Sequence, residues 1–246
     1  MKRPIGILDS GIGGVTVLKE ILKLLPNEDY IYYSDSIHNP YGEKTREQIF
    51  DYVDQIMKFF VEKNCKSVVF ACNTATALTI DEIRKKYSDL IIIGIEPAYK
   101  MVHDYAQDKK ILVMATPATI ESERFLELYH HYDNGNTILL PCSGLANLIE
   151  KGNYLEIDHY LNQLLPKDEV IEVVVLGCTH YPLIKNEICK IIGNVIFYDG
   201  GNGVARQLKK LLNENNLVSN SIKGFISFYD SSNSKDKEVR FYELLK

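Results

Sequence analysis

The chain of 246 residues has no excess of positive charge: 28 lysines and arginines stand against 33 aspartates and glutamates, a formal net charge of −5. A basic footprint able to neutralise phosphates is therefore missing, which argues against a nucleic-acid-binding protein. No apolar run approaches the roughly 20 residues needed to span a bilayer, so no membrane association is expected. The opening Met1-Lys2-Arg3-Pro4 leads straight into a strand-like run and lacks the apolar core of a signal peptide. Five cysteines, an odd number without a dense framework, fit free thiols in a reducing compartment. A cytoplasmic protein is expected.

Metal and cofactor signatures are absent too. The cysteines and six histidines form no C-x-x-C, H-x-x-x-H or H-E-x-x-H spacing. Cys178-x-His180 offers two ligands at most, and no metal is expected. Gly11-Ile12-Gly13-Gly14 follows a strand-like run and precedes a helical one, as a phosphate loop would. Thr16, however, stands where G-x-G-x-x-G needs its third glycine, and G-x-x-x-x-G-K is nowhere present. The loop reads instead as a tight turn with exposed N–H groups facing a small anion such as a carboxylate. No lysine context proposes a pyridoxal phosphate linkage. The expected cofactor is none.

What the chain does have is a matched pair of thiols. Cys72 lies in Val68-Val69-Phe70-Ala71-Cys72-Asn73-Thr74 and Cys178 in Val174-Val175-Leu176-Gly177-Cys178-Thr179-His180, 106 positions apart (178 − 72). Each context is a β-branched run, a small residue, a cysteine and then polar residues suited to opening a helix. Such runs read as buried strands. Each thiol then sits at the carboxyl end of a strand, where open α/β sheets build their binding sites.

The offset recurs. Ile7-Leu8-Asp9-Ser10 matches Val113-Met114-Ala115-Thr116, Tyr32-Tyr33-Ser34-Asp35 falls near Leu139-Leu140-Pro141-Cys142, and Ile92-Ile93-Gly94-Ile95 near Val195-Ile196-Phe197-Tyr198. About four strands per half, alternating with helical stretches, predict an α/β protein: two pseudo-symmetric domains with mainly parallel sheets flanked by helices, and the active site in the cleft between them. Residues 1–97 plus 206–246 are expected to form the first domain and 98–205 the second. The helical stretch from Gly203 carries the chain back to the first half, and Phe225-Ile226-Ser227-Phe228 adds an edge strand. The charged stretch 231–239 reads as a solvated loop before a last turn of helix.

Two thiols facing each other across a cleft can act as base and acid on one carbon. One removes a proton, the other delivers one to the opposite face, and a stereocentre is inverted. The thiolate is the reactive form, and a helix N-terminus lowers its pKa. A carbanion next to a carboxylate needs positioned donors in a dry site. Asn73, Thr74 and Thr179 can supply donors, and Asp9 and His180 can tune one thiol each. Blander readings stand beside these. The two cysteines could be inert buried residues or a disulfide, Asp9-Ser10 and Asn73-Thr74 could be helix caps, and Pro40-Tyr41-Gly42 a plain turn. His180 could be a satisfied core histidine and Glu150 a surface helix residue.

Four segments in order, Ile7-Leu8-Asp9-Ser10-Gly11-Ile12-Gly13-Gly14, Asn39-Pro40-Tyr41-Gly42, Ala71-Cys72-Asn73-Thr74-Ala75 and Gly177-Cys178-Thr179-His180-Tyr181-Pro182-Leu183, resemble the signature motifs of the bacterial glutamate racemases, in the aspartate/glutamate racemase family. The resemblance implies cofactor-independent interconversion of L- and D-glutamate, supplying D-glutamate for peptidoglycan and so for cell-wall biogenesis and cell shape, by a homodimer. It implies that Cys72 serves the D-glutamate side and Cys178 the L-glutamate side, with Asp9 and His180 as catalytic partners. Carried over by motif as substrate contacts are Asp9 and Ser10, Tyr41 and Gly42, Asn73 and Thr74, and Thr179 and His180. Thr116 and Thr119 resemble a substrate-binding loop, and Glu150 an acidic residue near the second thiol.

Departures qualify the resemblance. Asp199-Gly200 has glycine where the family more often has serine. The first motif begins almost at once, so activation by a cell-wall precursor through a long N-terminal extension is not expected. Aspartate racemase shares the paired-thiol logic; Thr179-His180 after the second cysteine, where aspartate-specific relatives commonly carry an acidic residue, favours glutamate. A non-catalytic anion-binding or interaction protein on the same scaffold is the remaining alternative.

Overall fold

A computed structural model describes residues 3–246. In the first half, strand β1 (Ile5–Asp9) leads to helix α1 (Val15–Leu24), then β2 (Tyr30–Ser34), α2 (Arg46–Glu62), β3 (Ser67–Phe70), α3 (Asn73–Lys86) and β4 (Ile91–Gly94). The second half runs α4 (Tyr99–Tyr105), β5 (Ile111–Ala115), α5 (Pro117–Ile120), α6 (Glu123–Tyr132), β6 (Thr137–Pro141), α7 (Leu145–Lys151), α8 (Tyr154–Leu164), β7 (Val173–Gly177), α9 (Lys185–Ile192) and β8 (Ile196–Asp199). The chain then returns through α10 (Gly201–Glu214), β9 (Ile226–Asp230) and α11 (Lys235–Leu245).

Two sheets result, ordered β4-β3-β1-β2-β9 and β6-β5-β7-β8, with all pairings parallel. Read from the other edge, the second sheet is β8-β7-β5-β6, so its strands repeat the order of β4-β3-β1-β2. Strands starting at residues 5, 30, 67 and 91 recur at 111, 137, 173 and 196. The internal repeat read from the sequence is thus a repeat of topology, with β9 added beyond β2 as an edge strand.

Parallel strands covered on both faces read as near-continuous apolar runs. Successive residues of β1 show it: Ile5 and Ile7 pack with α1, α10 and Phe241 of α11, whereas Leu8 packs with α2 and α3. In the second sheet, Leu112 and Met114 meet α7, α8 and α9, while Ile111 and Val113 meet α4 and α6. Local signals set the helix starts. Thr45 and Gln48 form a reciprocal capping box at α2, which stabilises a helix by about 1 kcal/mol.

One expectation fails. Residues 231–239 are not a loop before a single turn; α11 begins at Lys235 and runs eleven residues. Ser234 accepts a bond from the Lys237 N–H, and Asp236 and Glu238 fall in the first turn, where the helix dipole favours negative charge. The charged stretch is a helix start, and buried Phe241 anchors it.

Candidate active site

The carboxyl ends of both sheets face one cleft. Cys72 follows β3 and Cys178 follows β7, equivalent places in the two sheets, and both are buried and line the cleft. Neither thiol is in a disulfide. Ser10, Asn73, Thr74, Thr116, Thr179 and His180 line it too, and Tyr41 and Gly42 complete the rim from a short 3-10 turn. Asp9 and Glu150 are buried as well and make their contacts behind this wall. Thr119 sits beside Thr74 and Thr116: Thr74 Oγ1 lies 3.0 Å from Thr116 Oγ1 and 3.4 Å from Thr119 Oγ1. These hydroxyls join α3 of one half to α5 of the other.

The glycine loop does not offer its amides to an outside anion. Gly11 N and Gly14 N donate to Asp9 Oδ2 at 3.3 and 2.9 Å, and Ile12 N donates to Glu150 Oε2 at 3.1 Å. The carboxylates that the loop faces belong to the protein. Its glycines serve close approach instead. A Cβ on Gly13 would lie 2.6 Å from His180 Nδ1, and one on Gly11 2.6 Å from Glu150 Oε2. Only a bare backbone lets the second half come this near. Thr179 Oγ1 donates to Asp9 Oδ1 at 3.2 Å, and Thr16 Oγ1 donates to the Thr179 carbonyl at 3.0 Å, closing the same seam.

The capping reading also changes. Cys72 itself is the N-cap of α3, and Asn73 is the first helical residue. Both polar atoms of the Asn73 side chain are buried without a hydrogen-bond partner inside the protein. Such an amide costs about 1–3 kcal/mol unless something bonds to it. It lies in the cleft wall, so a polar guest would satisfy it.

Electrostatics distinguish the two thiols. Burial, reinforced by the charge of Asp9, pushes Cys72 up to about 12, although the Ala75 N–H and Ser10 act in the other direction. The sequence-based expectation of a thiol acidified by the helix start therefore fails for Cys72, where desolvation outweighs the helix start. Its Sγ lies 3.7 Å from Ser10 Oγ. Cys178 Sγ lies 3.8 Å from His180 Nδ1, and His180 Nε2 lies 2.6 Å from Glu150 Oε2. Burial would discharge His180, but its hydrogen bonds to Cys178 and Glu150 more than offset it and hold the ring well above its usual value. Burial likewise opposes the Glu150 charge, and the His180 contact reverses that and lowers its pKa. At neutral pH the pair is carboxylate and imidazolium. Asp9 is raised to about 6, chiefly by burial, with His180 and the loop amides opposing.

Several cleft residues escaped the sequence reading. Cys142 lines the cleft at the end of β6, with Ser143 and Gly144 beside it. The internal repeat held the signal for it, because Cys142 is the counterpart of Asp35. Asp35 in turn accepts a 2.6 Å bond from the Tyr41 hydroxyl and lies 2.9 Å from His38 Nδ1, and the His38 ring stacks on Tyr52 at 3.7 Å. Tyr41 is thereby held at the rim.

Known proteins resemble this chain over its whole length. The Asp/Glu/Hydantoin racemase family matches residues 5–208. A glutamate racemase of Clostridium kluyveri is 44% identical over 251 aligned positions, covering 99% of this chain and 98% of that protein. The crystal structure of the Francisella tularensis glutamate racemase in complex with D-glutamate superposes with a TM-score of 0.84 at 31% identity, covering 99% of this chain and 94% of that one. That of the Escherichia coli glutamate racemase, with L-glutamate and the activator UDP-MurNAc-Ala, gives 0.82 at 28% identity over 99% and 92%. With its two parallel sheets, paired thiols and four motifs in order, the chain belongs to the Asp/Glu/Hydantoin racemase family, among the glutamate racemases.

Proposed function

We propose that the protein interconverts L- and D-glutamate with its own groups, Cys72 and Cys178 acting from opposite sides of the α-carbon. The observation that carries this is their placement: two buried thiols from equivalent strand ends of two like-ordered sheets, lining one cleft. In the L-to-D direction the Cys178 thiolate, facing the His180 imidazolium, removes the α-proton. The Cys72 thiol, kept protonated by its burial, delivers its own proton to the other face. The C–H bond broken on one side is replaced on the other, and the thiols exchange protonation states. D-glutamate then reacts by the reverse path. Asn73, Thr74, Thr179 and Ser10 hold the substrate's carboxylates and ammonium group, and Tyr41 with Gly42 closes over them.

The same reading assigns the domains as residues 1–97 plus 206–246 and 98–205, a homodimeric assembly, cytoplasmic location, and supply of D-glutamate to peptidoglycan. Circular dichroism of L-glutamate, D-glutamate and L-aspartate solutions with purified protein and no added cofactor tests the activity. Decay toward zero from both glutamate enantiomers, and not from aspartate, is the expected result. Decay with aspartate alone would transfer the assignment to aspartate racemisation, and no decay at all would remove the catalytic reading.

A further inference from the structure

Helix α11 packs in the first half and reaches into the second. Phe241 is buried against Tyr32 and Phe228, with ring centroids 4.6 and 4.5 Å away. Its neighbour Arg240 contacts α7: Nη2 donates to the Ile149 carbonyl at 2.7 Å, and Nη1 donates to the Glu150 carbonyl. These carbonyls belong to the last turn of α7, the negative end of that helix, where a cation is favoured. Gly152, at φ +71°, ends α7, and a Cβ placed there would lie 3.4 Å from both Arg240 Nη atoms. One turn back on α11, Lys237 Nζ is 3.9 Å from Glu150 Oε1.

The helix therefore supports both sides of the hydrogen bond from Ile12 N to Glu150, one side through Tyr32 and the other directly. Through Phe241 it supports Tyr32, whose hydroxyl donates to the Gly11 carbonyl at 2.9 Å, fixing the loop whose Ile12 N–H binds Glu150. Through Arg240 it fixes the backbone of Glu150 itself. Glu150 charges His180, and His180 faces Cys178. Asp9 and Lys237 are the other charged groups around this pair.

We infer that Arg240 is a positioning residue for proton transfer at Cys178, clamping the end of α7 so that the Glu150 carboxylate stays on His180. This rests on the racemase reading above. A misplacement near 1 Å at a reacting group costs up to about 100-fold, and a clamp acting through two intervening residues is expected to cost about 10-fold.

The test measures kcat and KM in both directions across pH, together with Tm, for wild type, Arg240→Ala, Arg240→Gln, Arg240→Lys, Glu150→Gln and the Glu150→Gln/Arg240→Ala double variant. Arg240→Ala should lose about 10-fold in kcat with KM changed less than about 3-fold, and its alkaline limb should move to lower pH as the imidazolium loses its partner. Arg240→Lys should recover most of the rate. The double variant should be no slower than Glu150→Gln, because the arginine acts through that carboxylate. Multiplicative losses, or an alkaline limb unmoved in folded Arg240→Ala, would mean a structural strap and overturn the assignment. Should Arg240→Ala not fold, Arg240→Gln, which retains one donor, decides by the same limb. A wild type inactive on both glutamates would sink the racemase reading and this one together, whereas an active wild type beside an unaffected Arg240→Ala would sink this one alone.

Discussion

Cys72 and Cys178 occupy the same place in two like-ordered sheets, yet their surroundings differ. Around Cys72 the nearby groups are Ser10, Asp9 and the start of α3, and burial keeps the thiol protonated. Around Cys178 stands an imidazolium backed by a buried carboxylate. Topological symmetry thus carries chemical asymmetry. The reaction tolerates it: the enantiomers have equal free energies, so kcat/KM must be the same in both directions whatever the two bases are. Asymmetry can show only in kcat and KM taken separately, in partial reactions and in pH dependence.

The largest effect comes from deleting either thiol. Cys72→Ala and Cys178→Ala should each lower racemisation by more than about 1,000-fold while near-wild-type circular dichroism reports an intact fold. Cys72→Ala should still exchange the α-proton of L-glutamate with deuterated water, and Cys178→Ala that of D-glutamate. NMR would reveal the opposite pairing, which would reverse the assignment of sides. Next is Glu150→Gln, expected to cost about 100-fold in kcat/KM, equally in both directions, and to shift the alkaline limb downward. Gly13→Ala should follow, because its methyl lands on His180. We expect about 1–3 kcal/mol of lost stability from such overpacking, read by urea unfolding, with a roughly 10-fold slower kcat.

Asp9 gives the most diagnostic change. Its folded pKa is raised from 3.8 to about 6, so the native state binds more protons between those values and stability falls as pH rises through that window, by roughly 3 kcal/mol at most. His180, also raised, contributes stability that is complete below its unfolded value and lost as pH climbs through its folded one. Glu150, lowered, has the opposite sign: its contribution is present above its unfolded value and disappears in acid. Asp9→Asn should therefore narrow the difference in stability between pH 4 and pH 7. It should also remove an acid limb near pH 6 from the rate profile; a limb that persists would belong to another group.

The fold was legible because its strands are apolar runs with polar boundaries, and because a fixed offset carried the pairing of halves from Cys72 to Cys178. Those signals are local. The role of the glycine loop was not, since two of its amides turn back onto Asp9 and the third holds Glu150, 138 residues away. Burial of Cys72 is equally a property of the assembled cleft, and it reversed an expectation drawn from the helix start alone. Cys142 was half visible, aligned with Asp35 but given no part in the site. Helix α11 was hidden by its charge, which looked like a solvated loop until Ser234 and Phe241 are seen at its two ends.

The pairing of Tyr30 with Ile226 along β2 and β9 has a consequence for the newborn protein. The strands at the centre of the first sheet are made early, but the strand and helices that cover its edge and one face, β9, α10 and α11, are translated after the whole second half. At about 5–20 residues per second, β2 waits on the order of ten seconds or more with that edge bare. The second half, whose sheet draws on one continuous stretch from β5 to β8, can finish first. The enzyme is then assembled from the middle outward, and its first-made sheet is the last to close.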